Sequence, residues 1–237
     1  MGAIIPAILP TSREDLESKL ARLDGLVGAV QVDIVDGRYA SPASWPYTER
    51  GGEAAREDFL PYLGHFHFEF DLMVENPGLV AGAWIDHGVN RLTLHADHTR
   101  DLGAVIEKLQ VTYGHDKGFA PDLLSLGLAV GVETDLALIE PHLDRADYVQ
   151  FMGIRTIGHQ GEPFDNRVVR RIVAFRKAHS DMPIQVDGGV NLHTAPVLLD
   201  AGVSRLIVGS DLWKAPSLTD ELAKFEALAE EYGIYEK

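Results

Sequence analysis

The sequence predicts a (β/α)8 barrel, the TIM-barrel architecture, formed as one domain over residues 1–237. Three observations predict it. Strand-like and helix-like runs alternate eight times with no break in composition, which calls for a parallel sheet. The 237 residues come close to the roughly 250 typical of a closed eight-unit barrel. Two distant strand-like runs also end in aspartate: Asp33 in Val-Gln-Val-Asp-Ile-Val-Asp-Gly (30–37) and Asp187 in Ile-Gln-Val-Asp-Gly-Gly-Val (184–190). In parallel βα folds the carboxyl ends of strands are where chemistry is placed.

The elements follow in order. Ala3–Leu9 is apolar and reads as the first strand, and Thr11-Ser12-Arg13-Glu14 as a capping box opening a helix to about Leu23. Ala29–Val35 is the second strand. Arg38–Gly52, rich in Ser, Pro and Gly, is an unusually long loop whose role the sequence leaves open, and Glu53–Leu63 reads as helix. His67–Val74 and Arg91–His95 are the third and fourth strands, followed by helices at Gly78–His87 and Asp101–Tyr113. Leu123–Val130 is the fifth strand, with a helix at Asp135–Leu143 capped by Thr134. Tyr148–Gly153, Pro183–Asp187 and Arg205–Gly209 complete the strands. Their helices are Asn166–His179, Asn191–Ala201 closed by Gly202, and Thr219–Tyr232.

Composition narrows the function. A hydrophobic content of 46% with 24% charged residues is that of a soluble globular protein. The absence of cysteine removes disulfides and thiolate metal sites. No basic leader precedes the first strand, and no apolar run approaches the roughly 18 residues of a membrane span, so a cytoplasmic protein is expected. A net charge of −15 argues against nucleic acid as a partner. An anionic substrate would have to be held by local groups against that field.

Alternate residues of a strand share a face. Gln31 with Asp33, Asp71 with Glu69 and Met73, His95 with Thr93, and Asp187 with Gln185 are therefore expected to converge at the mouth. Three carboxylates there repel, and either protonation or a bound cation relieves them. Two carboxylates could take a proton from one face of a carbon and return one to the other. His95 reads more simply as a satisfied core histidine, and Asp36 as a turn former before Gly37. His65, His98, His115, His142, His179 and His193 read as surface or capping residues, and Gln31 and Gln185 equally as interior hydrogen-bonding groups or ligands. Gly188-Gly189 and Gly209-Ser210 follow the seventh and eighth strands, the usual phosphate site of such barrels. Ile154–Phe164 reads as a flexible lid, and Arg38 and Arg155 each read more simply as solvated surface charges than as further phosphate contacts.

Together these segments resemble the ribulose-phosphate 3-epimerase family of phosphate-binding barrels. Ile5-Pro6-Ala7-Ile8-Leu9 is similar to its opening Pro-Ser-Ile-Leu, and Val32-Asp33-Ile34-Val35-Asp36-Gly37 to its Val-Asp-Val-Met-Asp-Gly. Asp71-Leu72-Met73-Val74-Glu75-Asn76-Pro77 resembles its His-Leu-Met-Val-Glu-x-Pro, while Val186-Asp187-Gly188-Gly189-Val190-Asn191 and Val208-Gly209-Ser210 match closely. The resemblance implies interconversion of ribulose 5-phosphate and xylulose 5-phosphate, or of a related ketose phosphate, through an enediolate. It assigns proton transfer to Asp33 and Asp187, and phosphate binding to Gly188, Gly189, Gly209 and Ser210. Met73 and Met152 become apolar neighbours of the enediolate.

The departures are specific. The family holds a divalent metal with two histidines and the two aspartates, whereas Gln31 and Asp71 stand where the histidines would be. Ala7 replaces the opening serine, Val35 a methionine, and Thr156-Ile157-Gly158-His159-Gln160-Gly161 the family's Pro-Gly-Phe-Gly-Gly-Gln. Gln31, Asp33, Asp71 and Asp187 would offer a metal only oxygen, which suits Mn2+ or Mg2+ better than Zn2+. Related decarboxylase and aldolase barrels with Asp-x-Lys-x-x-Asp are set aside because Val35 occupies the lysine position. The expected activity is a sugar-phosphate 3-epimerase with a small-molecule sugar phosphate as partner. The competing reading is a non-catalytic phosphosugar-binding barrel, and a homo-oligomer stays open.

Overall fold

A computed structural model describes residues 3–48, 61–114 and 124–232. Eight short, largely apolar runs form the strands β1 (Ile4–Ile8), β2 (Ala29–Val35), β3 (His67–Met73), β4 (Arg91–His95), β5 (Ser125–Val130), β6 (Tyr148–Met152), β7 (Ile184–Asp187) and β8 (Arg205–Val208). All neighbours are parallel, and β8 pairs back onto β1 to close the barrel in chain order. This is the predicted (β/α)8 fold.

The strand period of two separates two environments. On β2, Val30, Val32 and Ile34 are buried outward against the helices, where the large apolar core lies between sheet and helices. Gln31 and Asp33 occupy the alternate, inward positions. Inside the barrel a small apolar cluster of Ile5, Ala7, Ala29 and Ile207 is joined by buried polar residues from most strands, rather than by the branched aliphatics usual in such barrels. Register sets Asp33 beside Asp71, Gln150 beside Gln185, and Met152 beside Asp187.

The helices are α1 (Arg13–Leu23), α2 (Pro77–Asp86), α3 (Leu102–Tyr113), α4 (Arg167–Ala178), α5 (Ala195–Asp200), α6 (Ser210–Lys214) and α7 (Leu218–Glu231). Their details correct several expectations. The box at α1 is shifted by one residue: Ser12 Oγ accepts from Asp15 N at 3.1 Å, and Asp15 Oδ2 accepts from Thr11 N at 2.9 Å. Residues 135–143 do not form an α-helix. Pro141 has no N–H to continue one, and the segment breaks into 3-10 turns at Leu136–Leu138 and Glu140–Arg145. Asp135, not Thr134, caps the first of them. The helix expected from Asn191 starts later, because Asn191 Oδ1 accepts from the N–H groups of His193 and Thr194 in a turn of its own. Helix α6 has five residues, too few to show a period, and was not expected. The helix read at Glu53–Leu63 lies largely outside the described residues. Among the described residues, no helix is long and apolar enough to cross a membrane.

Candidate active site

The inward polar residues form one connected column from the amino-terminal end of the barrel to its mouth. At the base Glu69 Oε2 lies 3.1 Å from Arg91 Nε, and its other oxygen meets Arg205. Arg91 stacks on the Tyr148 ring, 3.5 Å from its centroid, and donates to Ser125 Oγ at 2.9 Å and to Gln185 Oε1 at 3.0 Å. Gln185 Nε2 donates to Gln150 Oε1 at 2.7 Å, and Gln150 Nε2 to Asp71 Oδ2 at 2.8 Å. Asp71 Oδ1 lies 2.8 Å from His95 Nε2. Tyr39 Oη is 3.1 Å from His95 Nδ1 and donates to Asp97 Oδ1 at 3.1 Å.

Asp33 and Asp187 sit at the top of this column, both buried. They are joined by Gln31, whose amide nitrogen donates to Asp33 Oδ1 at 2.9 Å and to Asp187 Oδ2 at 2.8 Å. Burial, reinforced by Asp187 and Asp71, raises the Asp33 carboxyl well above its ordinary range. Burial and then Asp71 push Asp187 up to about 7, with Gln31 and His95 opposing. Burial alone would lower the His95 pKa, but contact with Asp71, aided by Asp97 and Asp187, outweighs it and the pKa is raised.

A cleft at the barrel mouth adjoins this carboxylate pair. Asp33 and Asp187 line it with Met73 and Met152. Gly188, Gly189, Gly209 and Ser210 line it too, so the residues expected for proton transfer and for phosphate share one space. Gly188 (φ +96°) and Gly189 (φ +69°) are left-handed, and a Cβ on Gly188 would stand 2.7 Å from Ile154 Cγ1. Their backbone is therefore free to present N–H groups where a side chain would clash.

The Ile154–Phe164 segment closes over this space. Gln160 Nε2 reaches Ala7 O at 3.3 Å, and a Cβ on Gly158 would come within 2.9 Å of Ala40 Cβ. The loop after β2 is the other flap: Tyr39, Ala40 and Ile157 cluster with Leu9, Val35 and Met73 at the strand ends. Ser44, which sequence reasoning missed, ties this flap down. It donates to Asp33 O at 2.8 Å and accepts from Val35 N at 2.9 Å. Nothing in the local sequence marks one serine of that loop over another. Asp36 shapes the turn as expected, its Oδ1 accepting from Arg38 N and Tyr39 N at 2.8 and 2.9 Å. Arg38 and Arg155 do not line the cleft. Arg38 faces Glu75 at 3.6 Å, and Arg155 pairs with Glu133 and Asp165.

The sequence profile of the ribulose-phosphate 3 epimerase family matches residues 3–213. The chain belongs to that family. It is 25% identical to ribulose-phosphate 3-epimerase of Bacillus subtilis over 219 residues, covering 90% of this chain and 93% of the relative. With the Aquifex aeolicus ribulose-phosphate 3-epimerase it shares 22% identity over 212 residues, 88% and 87% of the two chains. The crystal structure of 3-hexulose-6-phosphate synthase from Salmonella typhimurium superposes with a TM-score of 0.67 at 15% identity over 97% and 99% of the chains, a likeness of fold.

The metal implied by the family resemblance can be tested against this donor set. Asp33, Asp71 and Asp187 bring one oxygen each within 4.8 Å of one another, a carboxylate triad of the kind that holds a hard cation. The neighbouring donors do not fit that use. Gln31 turns its nitrogen, not its oxygen, toward Asp33 and Asp187, and Gln31 Oε1 is left buried without a hydrogen bond. Both oxygens of Asp71 are engaged by Gln150 and His95. The expectation that Gln31 supplies a fourth oxygen ligand is thus at odds with its orientation.

Proposed function

We propose that the protein is a sugar-phosphate 3-epimerase acting on ribulose 5-phosphate and xylulose 5-phosphate, or on a closely related ketose phosphate. The observation that supports this most is the single cleft in which two linked carboxylates, Asp33 and Asp187, adjoin the glycine turns at Gly188-Gly189 and Gly209-Ser210. The phosphate sits on the backbone N–H groups of those turns, with Ser210 beside it, and no arginine is required. This placement sets C3 of the sugar between the aspartates.

One aspartate takes the C3 proton as the C3–H bond breaks. The electron pair moves toward the C2 carbonyl and gives an enediolate. The second aspartate, protonated, then delivers its proton to the opposite face of C3. The raised pKa of Asp187, about 7, serves this exchange, because a carboxylate poised near neutrality both accepts and gives a proton, and Asp33 is raised as well. Met73 and Met152 flank the planar intermediate and keep water from it. The flaps carrying Tyr39 and Gln160 seal the mouth. A cation held by the three carboxylates alone would be Mn2+ or Mg2+ rather than Zn2+, but Gln31 turns its nitrogen toward two of them.

The test is exchange of the C3 proton of ribulose 5-phosphate in deuterated water, followed by NMR together with formation of xylulose 5-phosphate. Exchange abolished by Asp33→Asn and by Asp187→Asn supports the reading. Tight phosphosugar binding without exchange would instead favour the non-catalytic barrel, whose motive is the loss of both family histidines at Gln31 and Asp71.

A further inference from the structure

We propose that the mouth of this barrel works without a metal, and that Gln31 and an oriented chain of donors from Arg91 take the place of the cation. The proposal rests on the epimerase reading, which it deepens.

The orientation of the chain is fixed by chemistry. A guanidinium has donors only. Arg91 can therefore only give to Gln185 Oε1, 3.0 Å away, which leaves Gln185 Nε2 to give to Gln150 Oε1 at 2.7 Å. Gln150 in turn can only give, and its nitrogen meets Asp71 Oδ2 at 2.8 Å. A donor pointed at Asp71 is thus set from the base of the barrel, not chosen at its mouth. The other Asp71 oxygen faces His95 Nε2, whose ring is held by Tyr39 Oη on its far side.

Gln31 completes the arrangement. Turned over, its amide would set an oxygen against whichever of Asp33 and Asp187 is ionised. As it stands, one nitrogen bridges both carboxylates while Oε1 goes without a hydrogen bond in the core. The cost of an unmade buried bond is accepted, and what it secures is a donor between the two proton-transferring groups. Each of the three carboxylates is then met by an N–H group where a metal site would present lone pairs. Gln31 is a positioning residue: it holds Asp33 and Asp187 at a common spacing.

The experiment compares wild type, Gln31→Leu and Gln31→Glu, each as purified without chelator and again after dialysis against chelator. It reads metal content, melting temperature during Mn2+ titration, and C3 exchange of ribulose 5-phosphate. Expected for wild type are no bound metal, no shift in melting temperature with Mn2+, and exchange that chelation does not lower. Gln31→Leu should lose about 100-fold in exchange, as misplacement of reacting groups does. Gln31→Glu, the same shape with a fourth carboxylate, should acquire a rise in melting temperature with Mn2+ that wild type lacks. Stoichiometric metal in wild type, or exchange lost on chelation and restored by Mn2+, would overturn the metal-free mouth and leave the epimerase reading standing. Wild type and Gln31→Glu responding alike to Mn2+ would also overturn it. Absence of exchange in every sample would remove the epimerase reading, while metal content and the Mn2+ titration would still decide the role of Gln31.

Discussion

Tyr39 Oη lies 3.1 Å from His95 Nδ1, so a residue of the flap after β2 holds a histidine that is 2% exposed inside the barrel. The same hydroxyl donates to Asp97, so it can only accept from the ring. His95 Nδ1 is then a donor, and its orientation toward Asp71 depends on a loop residue. Tyr39→Phe should cost about 1–3 kcal/mol by leaving that buried donor unpaired. Chemical denaturation measures the loss, and turnover should fall more than KM rises.

Replacing either aspartate of the linked pair separates chemistry from folding. Asp33→Asn or Asp187→Asn should lower epimerisation by about 100-fold or more, the contribution of a positioned acid or base. Stability should hold or rise, because each change removes a charge from a buried, mutually repelling set. Turnover and thermal melts on the same preparations check both halves.

The raised carboxyl pKa values give stability a pH slope. Asp187 moves from 3.8 when unfolded to about 7 in the fold, and Asp33 shifts in the same direction, so the folded state binds more protons. Their contribution is complete below the unfolded value and is lost as pH rises through the folded one. Denaturation midpoints should therefore fall between about pH 4 and pH 7, and Asp187→Asn should flatten that fall. A slope unchanged by the substitution would show that other groups set it.

The phosphate cup is tested by adding charge to it. Ser210→Asp places a carboxylate in the cleft beside Gly188, Gly189 and Gly209 and should abolish binding of ribulose 5-phosphate. Ser210→Ala should weaken it by about tenfold, the worth of one hydrogen bond of roughly 1.5 kcal/mol. Calorimetry distinguishes them, and equal affinity in wild type and Ser210→Asp would place the phosphate elsewhere.

The barrel was legible in the sequence because strand periodicity and strand-end glycines are local signals, and Asp33, Asp71, His95 and Asp187 do converge where their strands predicted. Elements failed where a single residue overrules a pattern: Pro141 breaks a helical period, and the Asn191 turn delays α5. In the site, the direction in which Gln31 points could not be read, since an amide carries a donor and an acceptor at nearly the same place. Ser44 was illegible for another reason. Its bonds to Asp33 and Val35 depend on how a long loop folds back, which no short-range pattern encodes.

The column from Arg91 to Asp71 also bears on how this interior tolerates change. Each member orients the next, so replacing Gln185 alone strands both an Arg91 donor and a Gln150 acceptor. Single substitutions along it should be poorly tolerated and paired ones less so, with interaction energies of about 0.5–3 kcal/mol in double-mutant cycles. The apolar shell between strands and helices carries no such chain of hydrogen bonds and accepts exchanges of similar volume one at a time. The inside of the barrel therefore varies in linked steps, whereas its outer layer is free to drift residue by residue.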